Sequence, residues 1–524
     1  MPVAGSVHDG VYSPQLLVHA LGRELERPVV VFDSGRTVRA AELRDLVSSF
    51  IQALESIGVR PGTRVGLLSK NRPEVVFAMV ALRVMAACTV PLHPMGSLDD
   101  LDYIVDDAQI EVLLFDPEHF ERMAVDLQAR RGCLRHLLAL GPSAVGTDIA
   151  VLAAGFPPAP LRAAAVHGDH LSRISYSGGT TGLPKGVMLN ERTQLATASI
   201  LLQEWEWPTQ IRHLVCAPMS HSGASVLTPV LMKNGSLVVL PGFEPVAVMQ
   251  AIQDHRITST LLVPTMIYAL LDHPRFAEFD LSSLETVFYG ASSISPPRLK
   301  EAIERMGPIF FQFYGQSEAP MSVCVLRRAE HDPGDLRRLA SCGRPVPWVQ
   351  AELLDDAGRP VADGEPGEIC VRGPLVAAGY LNKPEQTAEA FAGGWLHTGD
   401  VAVRDPDGWW RIVDRKKDMI VTGGFNVYPR EVEDVIATHE AVAAVAVIGV
   451  PDERWGEAVS AVVVLRAGAR VAADALVALV RERKGPVQAP KAVHFAEAIP
   501  LTGLGKPDKK ALRARYASQP SQPR

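Results

Sequence analysis

The segment "SYSGGTTGLPKG" (175–186) gathers glycines and hydroxyls ahead of a lysine. Gly178, Gly179 and Gly182 let backbone amides converge on an anion, Ser177, Thr180 and Thr181 offer hydroxyl donors, and Lys185 adds a point charge. Those are the parts of a phosphate cradle, with a flexible surface turn as the plainer reading. A Walker-type loop needs a glycine directly before the lysine and a serine or threonine directly after it. Pro184 and Gly186 stand in those places. The means to hold a phosphate are present, but the Walker spacing is not.

Other candidate groups lie far along the chain. Glu318, in "FQFYGQSEAP" (311–320), could act next to phosphate only through a cation, because like charges repel. Asp400, in "HTGD" (397–400), reads by itself as a turn residue. His221, in "APMSHSGA" (217–224), reads equally as a pocket group or a core histidine. Gly290 and Ala291, in "VFYGASSIS" (287–295), are small enough for a flat ring to lie against the backbone. Lys506, in "IPLTGLGKPDKKALR" (499–513), reads by itself as a solvated lysine between pliable glycines.

These groups must be positioned by a layered frame. "PVVVF" (28–32) and "RVGLL" (64–68) read as short strands, and residues 41–57 set Leu43, Val47, Phe50, Ile51, Leu54 and Ile57 on one helical face, with Gly58 as its stop. Asn71 and Pro73 read as cap and first turn of the next helix. "LVVL" (237–240), "STLLV" (259–263) and "LETVFYG" (284–290) each precede a helical stretch. Alternating strands and helices predict α/β layers with mostly parallel sheets. From about residue 335 the texture changes to short strands split by "DAG" and "DGEPG" turns, a small β-rich lobe. The last hundred or so residues return to mixed α and β, and "DRKKD" (414–418) is the expected boundary, giving units 1–415 and 416–524.

Composition narrows the function class. A 524-residue chain is too long for one ordinary core. The net charge is −7 with no basic face along the chain, which argues against a nucleic-acid binder. The six cysteines are scattered without a CxxC pair, so they read as reduced, mostly buried thiols. "VVFAMVALRVMAACTVPL" (75–92) is interrupted by Arg83 and suits a core helix better than a membrane span. The N-terminus lacks the layout of a signal peptide, so a cytoplasmic protein without a transmembrane segment is expected.

From Tyr176 to Gly186 the glycine loop resembles the signature of the adenylate-forming superfamily, and the resemblance runs from about residue 30 to about 516. The superfamily includes acyl- and aryl-CoA synthetases, firefly-type luciferases and peptide-synthetase adenylation domains. The resemblance implies a large N-terminal domain of two α/β subdomains and a β-rich lobe, hinged to a small mobile α+β C-terminal domain. It implies that Tyr314 stacks on adenine, with Gly290, Ala291, Gln312 and Ser317 around the nucleotide, and that Glu318 and Thr181 bind Mg²⁺. Ser317 stands where the family usually has threonine. Asp400 and Arg415 are implied at the ribose, Lys417 at the hinge, Gly423 and Gly424 beside the pantetheine tunnel, and His221 beside carboxylate and thiol. The lysine implied for adenylation maps onto Lys506.

The implied reaction joins a carboxylate to AMP from ATP, releases pyrophosphate, and passes the acyl group to the thiol of CoA. Candidate acyl-pocket positions are His221, Ser222, Val226, Tyr289, Gly315, Ala319, Pro320 and Met321. They lack an Asp to receive an amino group and lean toward a fatty or other hydrophobic acid, with aromatic and alicyclic acids as alternatives. A carrier-protein acceptor, luciferase-type oxidation and a nucleotide-sensing relic are the rival outcomes. The chain stops soon after "KKALRARY", without a carrier domain, which favours a stand-alone ligase. A homodimer stays open. "PLTGLGK" (500–506) resembles the pattern on which bacterial ligases of the family are acetylated, making a lysine acetyltransferase and deacetylase candidate partners at Lys506.

Overall fold

The computed structural model describes residues 10–177, 184–416, 418–422, 425–452, 455–501 and 507–516. Its strands form four sheets. In the first, Arg64–Leu68 pairs in parallel with Cys88–Leu92 and with Val112–Phe115. Towards one edge of this sheet Leu171–Ser177 pairs antiparallel with Lys185–Asn190, and the glycine loop lies between them in the chain. In the second, Arg212–Val215, Ser259–Leu262, Thr286–Tyr289 and Phe310–Tyr314 run parallel in that order. The strand Pro28–Phe32 belongs to this second sheet, pairing Val30 with Leu237, and not to the one its sequence neighbours build.

Apolar periodicity explains the layers. The helix Ala40–Ser56 buries Leu43, Val47, Phe50 and Leu54, and Gly58 follows it at φ +93°, a left-handed turn that glycine takes without penalty. The helix Pro73–Val84 is buried on nearly every side, with Val76, Met79, Val80 and Leu82 in the core shared by both large sheets. This answers the apolar stretch at 75–92: it is interior. No helix among the described residues is long and apolar enough to cross a membrane. All six cysteines are free thiols, and only Cys133 is partly exposed.

One sequence expectation is corrected. Asn71 does not cap the helix Pro73–Val84; Arg72 holds the cap position without a side-chain bond. The Asn71 side chain instead donates to the Ala217 carbonyl at 2.9 Å and accepts from the Met219 amide at 2.8 Å. A local cap competes with any partner that can satisfy both ends of the amide, and the 217–219 backbone does so.

The β-rich lobe is an antiparallel sheet of Gln350–Leu354, Pro366–Arg372, Leu396–Arg404 and Trp410–Arg415. The last sheet is built on the hairpin Val442–Asp452 and Gly456–Leu465, joined by Ile420–Thr422, Phe425–Val427 and Ala492–Phe495. Where the two units meet, Arg430 donates from Nη2 to the Ile294 carbonyl at 2.9 Å.

Buried histidines give this fold a pH dependence. His331 is 4% exposed; its Nδ1 donates to the Arg327 carbonyl at 2.8 Å and its Nε2 takes the Tyr289 hydroxyl at 2.9 Å. Burial pushes this imidazole down to about 4, and the buried His213 down to about 3. The unfolded chain takes up these protons below pH ~6.5, and the native chain does so only at lower pH. Stability should therefore fall as pH drops from about 6.5 towards 4, by up to roughly 3 kcal/mol for His331. Urea denaturation across that range measures it. His331→Gln should flatten the slope, and an unchanged slope would assign the pH dependence elsewhere.

Candidate active site

The carboxyl ends of parallel strands are where α/β sheets bind ligands, and two neighbouring strands here end in tyrosine followed by glycine: Tyr289-Gly290 and Tyr314-Gly315. A Cβ on Gly290 would stand 2.4 Å from the Phe313 carbonyl oxygen, so the close approach of the two strands itself demands glycine. Ala291 follows at φ +66°, a left-handed backbone sparsely used by residues with a side chain.

Tyr314 and Asp400 meet, though 86 residues apart. The Tyr314 hydroxyl donates to Asp400 Oδ2 at 2.7 Å, and Gln316 Nε2 donates to the same oxygen at 2.6 Å and to the Thr398 carbonyl at 2.9 Å. Burial first, and the Asp400 charge second, hold the Tyr314 phenol well above its usual range, so it stays a donor. Asp400 reaches this place through a bulge. Glu368 lies opposite Val401, yet Cys370, two residues on, lies opposite His397, so 398–400 swell out of the ladder. Gly399 takes φ +70° there, and its amide donates to Glu368 Oε1 at 2.8 Å. The backbone of Arg415 lies opposite Asp400 on the next strand.

Glu318 is drawn to the base of the glycine loop by a residue that sequence reading missed. The Tyr380 hydroxyl donates to Glu318 Oε1 at 2.9 Å, and the ammonium of Lys185 stands 4.8 Å from the centroid of the same ring. Gly379–Tyr380 forms a short strand that pairs Tyr380 with Val187, which fixes this meeting. Among the described residues, Glu318 Oε2 has no partner. A dipeptide "GY" carries no motif signal, and only the pairing across the chain reveals it.

His221 is half-buried, with Nδ1 3.0 Å from the Ser220 hydroxyl. It meets a second histidine, His93, edge to face with ring centroids 4.9 Å apart. Burial lowers the His93 imidazole, and its Nδ1 accepts from the Met95 amide at 3.1 Å, so its Nε2 carries the proton. The buried Arg173 donates to the Ser220 carbonyl at 2.9 Å, and Asn71 grips the same loop from the other side. "PLHPM" gave no sign of His93 because its partner lies 128 positions later.

Other expected positions separate. Tyr289, Val226 and Ala319 have no exposed surface and pack in the core. The side chain of Gln312 is buried, its end 3.3 Å from the Tyr289 hydroxyl, so it faces the Tyr289–His331 pair. Ser222, Ser317 and Pro320 are half-buried, and Met321 takes φ +67°. Gly178, Gly179, Thr180, Thr181, Gly182, Lys417, Gly423, Gly424 and Lys506 lie outside the described residues, as do the side chains of Ser177 and Arg415.

With this geometry in place, comparison with known proteins is informative. The profile of a family described as AMP-binding enzyme matches residues 17–381, and that of the AMP-binding enzyme C-terminal domain matches 431–506. The chain is 50% identical over 518 residues to a medium/long-chain-fatty-acid–CoA ligase, FadD8, of Mycobacterium tuberculosis, covering 96% of this chain and 90% of that one. It is 38% identical to a feruloyl-CoA synthase of an Amycolatopsis species, over 92% of this chain and 94% of the relative. Among solved structures, an amide bond synthetase, McbA, from Marinactinospora thermotolerans superposes with a TM-score of 0.88 at 34% identity, covering 95% of this chain and 99% of that one.

Proposed function

We propose, from the premise that the chain belongs to the AMP-binding enzyme family and is an AMP-forming acyl-CoA synthetase, that its acid is a medium- or long-chain fatty acid and that the residues gathered above divide its two half-reactions. The observation that carries the assignment of roles is the meeting of Glu318 and Lys185 on the two sides of Tyr380, at the strand ends that frame the glycine loop.

In the first half-reaction an oxygen of the substrate carboxylate attacks the α-phosphorus of ATP, and the bond to the β-phosphate breaks. Negative charge builds on phosphate oxygens, so the protein's task is positional and electrostatic. Ser177, Thr180 and Thr181 and the loop amides hold the β- and γ-phosphates, with Lys185 as an auxiliary cation. Tyr314 lies against the adenine, while Asp400 and Arg415 hold the ribose. The uncommitted Oε2 of Glu318, with Thr181, suits a hard cation. Mg²⁺ bound there neutralises phosphate charge. Lys506 supplies the positive charge between carboxylate and α-phosphate.

In the second half-reaction the CoA thiol attacks the acyl carbon, and AMP leaves with the bonding electrons of the acyl–oxygen bond. The unit 416–524 turns about Lys417 to withdraw Lys506 and bring Gly423 and Gly424 to the pantetheine path. Polar links between the units, such as Arg430 to the Ile294 carbonyl and Arg411 to Glu431, would have to break and re-form in that turn. We place the enzyme in the cytoplasm, and read Lys506 as the target of an acetyltransferase and its deacetylase. A homodimer is the assembly to test by light scattering.

Pyrophosphate release with CoA, measured against short, medium, long, cyclic and aryl acids, tests the substrate class. The highest kcat/KM should fall on medium to long fatty acids; a maximum on aryl acids would replace that reading. Tyr380→Phe tests the assignment of Glu318. It keeps the ring under Lys185 and removes the hydroxyl, so the Mg²⁺ requirement and the KM for ATP should rise up to roughly tenfold. Unchanged values would leave Tyr380 as packing alone.

A further inference from the structure

Behind the Asp400 bulge lies a group of side chains that the proposed reaction does not use. Glu368 and Cys370 sit two apart on the strand Pro366–Arg372, hence on one face, and His397 lies directly across from Cys370. Cys370 Sγ is 3.5 Å from His397 Nδ1, and the same Nδ1 is 3.1 Å from Glu368 Oε2. The three ligand atoms all lie within 4.8 Å of one another.

Hydrogen bonding serves the two contacts unevenly. With a proton on Nδ1, the ring donates to Glu368, and Cys370 Sγ offers only a weak acceptor. With Nδ1 bare, Cys370 can donate to it, but Glu368 Oε2 then faces a lone pair. A cation would engage all three groups, since thiolate, imidazole and carboxylate can all direct lone pairs at one point. The spacing fits. A tetrahedral zinc with bonds of about 2.3 Å to sulfur and about 2.0 Å to nitrogen or oxygen separates its ligands by about 3.5 Å and about 3.3 Å.

We propose that Glu368, Cys370 and His397 form a binding site for one thiophilic divalent cation of the zinc class. The outer shell is already built, because the other oxygen of Glu368 is held by the Gly399 amide at 2.8 Å. Entry is from the histidine side, which is 30% exposed, whereas Cys370 is sealed. Lys416 stands 3.7 Å from Glu368 Oε2 and is also paired with Asp356 at 2.6 Å. Both of those side chains are largely in solvent, so Lys416 can swing aside when a metal and its fourth ligand, a water, arrive. The Lys416 amide also donates to the Gly399 carbonyl at 2.7 Å, which ties the site to the bulge carrying Asp400.

Cobalt(II) titrated into the chelator-treated full-length protein tests the site. One equivalent should bind and give a thiolate-to-cobalt charge-transfer band in the near ultraviolet that zinc then bleaches. Cys370→Ser should abolish the band, and His397→Ala should weaken binding by at least tenfold. Thermal melting of each variant without metal checks that it folds, and zinc should raise the melting temperature of the unaltered protein but not of the variants. If Cys370→Ser does not fold, His397→Ala decides. Absence of a band in the unaltered protein, or a band of full affinity in a folded variant, overturns the proposal.

Discussion

Lys506→Ala is expected to slow acyl-adenylate formation by about a hundred- to a thousandfold while thioester formation from supplied acyl-adenylate persists. The size follows from the charge that builds on the phosphate oxygens: removing one preorganised donor in a water-poor site costs roughly 3–4 kcal/mol of transition-state stabilisation. The selectivity follows from the proposed turn of the C-terminal unit, which would take Lys506 away before the thiol attacks. Carboxylate-dependent exchange of pyrophosphate into ATP measures the first half-reaction, and CoA consumption with synthetic acyl-adenylate measures the second. Acetylation of Lys506 removes the same charge and should copy the alanine variant. Equal loss in both half-reactions would refute the division of labour.

Glu318→Gln is expected to lower kcat by on the order of a hundredfold and to raise the Mg²⁺ concentration needed for half-maximal rate. The substitution is nearly isosteric. The amide oxygen still accepts from the Tyr380 hydroxyl, 2.9 Å away in the native chain, so the strand Gly379–Tyr380 keeps its partner. What disappears is the charge that makes Oε2 a ligand for a hard cation. A Mg²⁺ titration of initial pyrophosphate release, with ATP saturating, separates the two effects. A variant with native kcat and native Mg²⁺ dependence would reduce Glu318 to a structural partner of Tyr380.

Much of the frame was legible because its signals are local. "PVVVF", "RVGLL" and the apolar face of residues 41–57 appear as the strands Pro28–Phe32 and Arg64–Leu68 and the helix Ala40–Ser56. Turn-rich "DAG" and "DGEPG" announced a small β-rich lobe, and the structure has a four-stranded sheet there. Partnership was not legible. Nothing in "PVVVF" says that its neighbour is Ser236–Val239, because strand pairing is chosen by tertiary packing. The site divides in the same way. The glycine loop and Glu318 carry chemical character of their own, whereas Lys506 stands out only through the family resemblance. Tyr380, Gln316, His93 and Asn71 act only through partners distant in sequence, and each looks ordinary until the fold brings those partners near. The burial of Tyr289 was not legible either, because it depends on alternation along Thr286–Tyr289 that sets this side chain against His331.

The pairing of Val30 with Leu237 also sets a schedule for synthesis. The strand Pro28–Phe32 and its hairpin mate Thr37–Arg39 leave the ribosome early, but the other edge of Pro28–Phe32 must wait for some two hundred further residues. At about 5–20 residues per second that interval is roughly 10–40 s. Throughout it, Val29 and Val30, which end with no exposed surface, stand on an open strand edge that any other nascent chain could extend. Arrested chains that end before Leu237 are therefore expected to aggregate more readily than chains that extend past it.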